Sequence, residues 1–457
     1  MSKAWLTKNF NPYQGQVLVT ALAIAQQRNL QLYAVGGIVR DWLLLNTCPN
    51  LPLASQESQE KASQEDIPDW PDLDLVVVGC PRAGILVANA LHHHYPDSKL
   101  QIHEKFQTAE LIWHPPTTAH QFTLDLATAR TETYSHPGAN PDVQAASLIE
   151  DLHRRDFTIN AIAIPLTDNQ DPEIIDPHQG ITDLQQKKIC AIRQGSFLED
   201  PRRIYRAVRF AVRFGFELHP DTEQEIRHTT AGGIHNHIGG SRLQAEIYYL
   251  LAYTTTQVSQ MWRSLAALGA LDCIYAPFPL DPHFAQCWRR WQRWQSCFAS
   301  LFLDLSQKSP EIDFLFLLSD LGIVFAQTPD QTPNFQLSSL QITQLRQIGQ
   351  LTNLQLSQTE APSHLVHQLE QFHPLSLLIY GTKTQEHYRR QIIWQYLHQW
   401  RQIQSPLDGK TLIQLGCPKG KNVGQLLQIL RDAALDRQVS SQHQAIQLAQ
   451  SWIDQLV

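Results

Sequence analysis

Apolar residues recur along this chain with two periods, and the change from one to the other divides it. Up to about residue 165, short stretches that alternate every second residue are mixed with helical ones. LQLYAVGG at 30–37 reads as a strand running into a glycine turn, and IVRDWLLLN at 38–46 as the short helix after it. LDLVVV at 73–78 is rich in branched apolar side chains and predicts a second strand. QFTLDLATA at 121–129 alternates and predicts another. From about 166 onward the strand signals fade. DPRRIYRAVRFAVRFG at 200–215 predicts a helix, with Pro201 in its first turn and Gly215 at its C-cap. Residues 221–457 are mostly helical in pattern, with no convincing repeat. Residues 47–71 are rich in Ser, Gln, Glu and Pro and read as a loop or disordered insertion.

A length of 457 residues suggests about three domains, and a hydrophobic content of 43% is that of a folded protein. No apolar run approaches the ~20 residues that span a bilayer. The best candidate, FLFLLSDLGIVFA at 314–326, carries Asp320 and reads as a buried helix. The opening MSKAWLTKNF has no apolar core segment, so no secretory signal is expected. Seven scattered cysteines with no CxxC pair argue against a zinc site or a disulfide framework and fit a reducing cytoplasm.

The net charge of −7 counts against a polyanion binder, but affinity follows local basic stripes rather than the total. One such stripe exists. Arg193, Arg202, Arg203, Arg206, Arg209 and Arg213 are opposed locally only by Glu199 and Asp200. Arg202, Arg206, Arg209 and Arg213 follow i, i+4, i+7, i+11 spacing and share a helical face. That face suits a triphosphate or RNA phosphates. The plainer reading is a solvated face carrying ion pairs.

The strongest chemical signal is Asp72-Leu73-Asp74 at the mouth of a strand. Strand residues two apart point the same way, so the two carboxylates sit side by side and repel unless a cation lies between them. Mg2+, with its preference for oxygen, answers that need. Asp125 on a nearby strand would complete three carboxylates, the arrangement of metal-assisted phosphoryl transfer. Alone, DxD is a common surface pattern. The Gly36-Gly37 turn between strand and helix strengthens it, because backbone N–H groups there can approach a phosphate chain.

With these residues in view, VGGIVRDWLL (35–44) followed by DLD resembles the head-domain signature of the DNA polymerase β-like nucleotidyltransferases. More narrowly, RRDFTINAIA (154–163), DPHQGITDL (176–184), EDPRR (199–203) and IGGSRLQAEI (238–247) are similar, in order, to the later motifs of the bacterial class II CCA-adding and poly(A) polymerase family. The resemblance implies an α+β protein: a mixed-sheet catalytic head at 15–165, a helical nucleotide-selecting and RNA-binding neck at 166–260, and a helical, tRNA-binding body and tail at 261–457. It implies addition of C and/or A to a tRNA 3′ end from CTP and ATP, with Mg2+ as cofactor and no protein partner evident.

The same resemblance assigns roles. Asp72 and Asp74 would be metal ligands, with Asp125 the third catalytic carboxylate. Gly36, Gly37, Arg40, Arg155, Asp156, Asn160 and Arg206 would lie around the triphosphate and ribose. Asp200 and Arg203 would face the base, the two sharing one helix face. Arg202, Arg209 and Arg213 would contact RNA. Poly(A) synthesis, CC-only or A-only addition, and a non-catalytic RNA-binding protein of the same fold are the alternatives.

The chain departs from the family in one place. Asp72 comes 35 residues after Gly37, farther than usual, because of the polar segment at 47–71. Residues 129–153 occupy the position of the family's flexible loop, where Arg130 and Glu132 would supply its basic and acidic pair. Two further segments, WRRWQRW (288–294) and YRRQIIWQYLHQW (388–400), interleave bases and aromatics. Such mixtures can stack on RNA, though more often they are amphipathic helices with Trp in the core. His92–His94 and His235/His237 lack partners at metal-ligand spacing and read as ordinary histidines.

Overall fold

The computed structural model describes residues 12–47, 72–115, 121–167, 173–233, 238, 240–271, 282–298, 310–319, 335 and 337–455. The predicted insertion beyond Thr47, His235 and His237, and the stretch from Asp320 to Ala326 lie outside the described residues. The described residues divide into two compact units, one drawn from Met1–Glu246 and Thr256–Phe278, the other from Ile247–Thr255 and Pro279–Val457.

The first unit is built on a six-stranded mixed sheet. Its strands are β1 (Gln31–Val35), β2 (Leu73–Val78), β3 (Lys99–His103), β4 (Thr108–Trp113), β5 (Phe122–Thr128) and β8 (Ala163–Pro165), in the order β3-β4-β5-β2-β1-β8. Between β5 and β8 the chain makes a separate hairpin, β6 (Arg130–Thr133) and β7 (Asp142–Ala145). Only β2 and β5 run parallel within the large sheet; its other pairs are antiparallel. Alternation decides which face is covered. Leu73, Leu75 and Val77 of β2 and Phe122, Leu124 and Leu126 of β5 are buried on one face. Helices α1 (Pro12–Gln27) and α3 (Ala83–His94) pack against the sheet, while α2 (Gly37–Thr47) follows β1. Gly84 permits that approach: a Cβ there would stand 2.7 Å from the Ala127 carbonyl carbon of β5.

The opposite face closes at one end only. Val35, Val76, Ala129, Leu148, Leu152, Ala161 and Ala163 form a small core there, with α4 (Leu148–His153) as its lid. Ser147 and Glu150 make a reciprocal capping box at the start of α4. After β8 come α5 (Gly180–Gln186), β9 (Lys188–Ile189), α6 (Ser196–Glu199), α7 (Arg202–Phe214), β10 (Glu217–Leu218), α8 (Pro220–Ala231), α9 (Gly240–Leu251) and α10 (Thr255–Ala267). Helix α7 matches the expectation closely. Pro201 precedes it and Gly215, at φ +65°, ends it.

The second unit is helical: α11 (Pro282–Cys297), α12 (Pro310–Leu318), α13 (Ser339–Asn353), α14 (Pro362–Leu369), α15 (Pro374–Lys383), α16 (His387–His398), α17 (Gly409–Gln414), α18 (Lys421–Leu435) and α19 (Gln442–Asp454). Trp288 and Trp291 of α11 are buried against Phe316. The Trp291 indole donates to the buried Asp313 carboxylate at 2.6 Å. The tryptophans of WRRWQRW are thus core residues. No described helix is long and apolar enough to cross a membrane.

Candidate active site

The carboxylates converge through strand register. Asp74 of β2 is the partner of Asp125 on parallel β5, and Asp125 is the partner of Glu110 on antiparallel β4. Register partners project to the same face, so the three acids form a row on the side away from α1 and α3. Asp72 stands just before β2. Burial and crowding show in their acidities. Asp125, exposed on the open face of the sheet, is pushed up to about 7 by partial desolvation and by Asp74, Glu110 and Asp72. Burial also raises Asp74, more than Arg155 lowers it, and Asp72 adds to the rise. Asp72, exposed on its outer side, is raised by partial desolvation and by Glu110 against a hydrogen bond from Thr123. Acids raised by one another are acids that would gain from a cation between them. Glu110 escaped the sequence reading, although the alternation of TAELIW carries it.

The glycine turn lies against this row. Gly36 has φ +70°, and a Cβ on it would stand 3.2 Å from Arg155 Nη1 and 3.7 Å from Asp74 Oδ2. A Cβ on Gly37, the first residue of α2, would stand 3.9 Å from the same oxygen. At Gly36 the left-handed backbone and the nearby Arg155 guanidinium disfavour a side chain, whereas one on Gly37 would meet only ordinary contacts. Arg155 is braced by the buried Asp151, with Nε and Nη2 donating to Oδ2 at 3.2 and 3.0 Å, and its Nη1 faces the turn.

Other expected contacts are turned inward. Arg40 is buried; it donates to Asp41 at 2.8 Å and to Asn160 Oδ1 at 2.6 Å, and its guanidinium lies 4.7 Å from the Phe214 ring centroid. Asn160 in turn donates to Asp156 at 3.0 Å, and Asp156 accepts from Arg206 Nε at 2.8 Å. Burial alone would push Asp156 up. Arg206, Asn160 and Arg203 outweigh it and hold the carboxyl well below the usual range. The DPHQGITDL segment braces this assembly from behind. Asp176 accepts from the Gly180 and Ile181 amides at 2.8 and 2.9 Å, and Asp183 accepts from the Thr158 hydroxyl at 2.6 Å.

Two local expectations are corrected. Asp200 and Arg203 do not share a helix face. Asp200 ends α6 with φ −131° and ψ 88°, and Pro201 opens α7 behind it. Proline disfavours helical backbone in the residue before it, so the chain breaks there. Asp200 is forked by Arg202, with Nε–Oδ1 and Nη2–Oδ2 both 2.8 Å. Arg203 is buried and donates to the Arg154 and Arg155 carbonyls at 2.8 and 3.3 Å and to Ser196. Second, residues 129–153 form the β6–β7 hairpin and α4 rather than a loop. Arg130 and Glu132 do pair, at 3.2 Å, and Arg154 joins them at 2.6 Å. Tyr134 donates to Glu132 at 2.7 Å.

The arginine stripe occupies one face of α7, where Arg202, Arg206, Arg209 and Arg213 are partly exposed. Each has a carboxylate neighbour. Arg202 has Asp200, Arg206 has Asp156 at 2.7 Å, Arg213 has Asp41 at 3.6 Å, and Arg209 has Glu246 at 3.9 Å. Glu246, from IGGSRLQAEI, is buried among them and was not anticipated. Among the described residues no group of three or more His, Cys, Asp and Glu side chains forms a metal cage. The acids at β2, β4 and β5 are an open row of oxygen donors.

Residues 32–190 match the poly A polymerase head domain. That span contains the glycine turn, the carboxylate row and Arg155.

Sequence similarity to relatives extends beyond that span. An A-adding tRNA nucleotidyltransferase of Halalkalibacterium halodurans is 25% identical over 446 residues, covering 96% of this chain and 92% of that protein. One of Geobacter sulfurreducens is 28% identical over 433 residues, covering 93% of this chain but 46% of that protein. The chain thus spans about half the length of the Geobacter relative. The Thermotoga maritima CCA-adding enzyme, solved in complex with tRNA, shares the fold, with a TM-score of 0.70 at 21% identity, covering 98% of this chain and 97% of that one.

Proposed function

We propose that this chain is a template-independent tRNA nucleotidyltransferase that adds C and/or A to the tRNA 3′ terminus from CTP and ATP, releasing pyrophosphate. The observation that carries the reading is Asp74, in register with Asp125 and against the Gly36–Gly37 turn. Asp72 and Asp74 would hold Mg2+, with Asp125 as the third carboxylate. The donor set fits, since Mg2+ takes one or two carboxylates and completes its shell with water and phosphate oxygens. Bound there, the ion would supply Lewis-acid stabilisation of charge on the phosphate oxygens.

The chain's own groups do the rest. The glycine turn leaves room for the triphosphate, and Arg155 Nη1 is aimed at the same space. Arg40, Asp156, Asn160 and Arg206 hold that turn and α7 in place from behind. Asp200 and Arg203 would read the base. Cytosine and adenine both present an amino donor beside a ring-nitrogen acceptor, which a carboxylate and a guanidinium complement. Uracil and guanine reverse both positions, and each mismatch costs on the order of 1–3 kcal/mol. Arg202, Arg209 and Arg213 would exchange their carboxylate partners for RNA phosphates. The place of action would be the cytoplasm.

A-only addition is the second reading, favoured by the A-adding name of the relative that aligns along nearly its whole length. One assay separates the cases. Transcripts ending before C74, after C75 and after A76 are offered with each NTP alone and in mixture. Addition of CCA to the first means full activity; addition only to the second means A-adding; long A tails on any acceptor mean poly(A) synthesis. Failure on every RNA would overturn the reading. Base reading has its own test. Asp200→Asn offers an N–H to the uracil carbonyl, so UTP use should rise relative to CTP; an unchanged nucleotide profile would remove Asp200 from that role.

A further inference from the structure

The carboxylate proposed to read the base is already engaged. Asp200 is 8% exposed and takes three donors from one residue: Arg202 Nε on Oδ1 and Nη2 on Oδ2, both at 2.8 Å, and the Arg202 amide on Oδ1 at 3.2 Å. A carboxylate has about four lone-pair sites, so little of Asp200 is left to accept from the amino group of a base. Its companion Arg203 is anchored on the Arg154 and Arg155 carbonyls and on Ser196. Arg202 is the freer side chain, 31% exposed at the start of α7.

A second acid acts on that guanidinium and has an oxygen to spare. Glu246 of α9 is buried, and its Oε2 has no hydrogen-bond donor. Arg209 Nη1 stands 3.9 Å from that oxygen, beyond hydrogen-bond reach. Burial raises the Glu246 carboxyl, and Arg206, Arg209 and Arg202 lower it by less. Glu246 in turn adds to Asp200 in stabilising the charge on Arg202. Buried acceptors are rarely left open, and this one lies in the field of the same arginine that covers Asp200.

We propose that Arg202 is a two-position latch on nucleotide selection: closed, it forks Asp200, and open, it gives its guanidinium to the free oxygen of Glu246 and leaves Asp200 to the base. The inference rests on the base-reading role proposed for Asp200. Both positions keep the guanidinium paired with a carboxylate, so they differ in which acid is covered, and a ligand that prefers one of them shifts the balance. Cytosine and adenine favour the open position, because only an uncovered Asp200 accepts fully from their amino group. Uracil and guanine gain nothing from opening, since a carbonyl would then face a bare carboxylate. While closed, the latch weakens the apparent affinity for CTP and ATP in proportion to the fraction that is open. An RNA phosphate that drew Arg202 away would open it in the same way.

Equilibrium binding of CTP and of UTP to the full chain in Mg2+ buffer, without RNA, tests the latch through the ratio of the two Kd values. The ratio cancels any general loss of attraction for the triphosphate. Arg202→Met should shift it toward CTP about tenfold, the worth of a charged hydrogen bond. Glu246→Gln should shift it severalfold toward UTP by holding the latch shut, and should have no effect in the Arg202→Met background. A ratio unchanged in Arg202→Met, or moved toward UTP, would make Arg202 a brace for Asp200 and overturn the proposal. An effect of Glu246→Gln that persists without Arg202 would overturn it too. Should Glu246→Gln fail to fold by circular dichroism, Arg202→Met, at a partly exposed position, still decides. Asp200→Asn separates the two readings. If its ratio equals that of wild type, base reading by Asp200 falls and the latch with it; if it differs while that of Arg202→Met does not, only the latch falls.

Discussion

At the scale of single residues, the carboxylate row makes opposite demands on stability and on chemistry. Asp72 is exposed at the mouth of β2, so Asp72→Ala removes a ligand without opening a cavity. Incorporation should fall by about two to three orders of magnitude or more, with the thermal midpoint unchanged. Near-wild-type turnover would rule out its metal role. Asp125 carries a sign that can be checked. Its carboxyl is raised to about 7 in the folded state, above the ordinary ~3.9 of an unfolded chain. The folded protein therefore binds more protons between those values, and this group subtracts stability as pH rises through that window. In metal-free buffer Asp125→Asn should melt higher than wild type at pH 8 and no higher at pH 4. Equal midpoints at pH 8 would mean the acids do not crowd one another.

At the scale of elements, the β6–β7 hairpin is tied to α4 by buried charge. Glu132 is 8% exposed and meets Arg130, Arg154 and Tyr134, while Asp151, fully buried, holds Arg154 and Arg155. Burial would raise both acids, but their arginines win and hold both below the usual range. Depressed acids contribute stability above their unfolded pKa and lose it as pH falls through the folded one. This network should thus weaken below about pH 4. Glu132→Gln should cost about 3–5 kcal/mol, because it leaves arginines buried without their charge. Urea denaturation at pH 7 measures it, and a loss under 1 kcal/mol would show that the hairpin is held by something else. Helix α7 illustrates a different coupling. Its face of arginines was legible from spacing, yet three of the four acids beside it come from α2, from the turn after α4, and from α9.

At the scale of the molecule, a net charge of −7 sets the condition under which RNA can be held. Capture has to rely on local basic surface, so tRNA affinity should fall steeply with salt, with a negative slope of log K against log salt reflecting several displaced counterions. A slope near zero would mean that phosphate contacts do not carry binding. The arginine helix, with its proposed RNA contacts, lies in the first unit. Some of this organisation was readable in advance. The strands at 31–35, 73–78 and 122–128 and the helix at 202–214 fall where periodicity put them. The hairpin of β3 and β4 was not anticipated, nor was Glu110 within it.

Local repeat distances are properties of the backbone, and they were enough to place Asp72 beside Asp74, to mark Gly36–Gly37 as a turn between strand and helix, and to align four arginines on one side of α7. Pairing between distant strands is a different kind of information. That β5 lies parallel to β2 with Asp125 opposite Asp74, that Asp200 breaks away from the helix bearing Arg203, and that Arg40 and Asn160 point inward all depend on how whole elements pack. No short window of sequence specifies that packing, because register is chosen by the summed burial of many side chains at once.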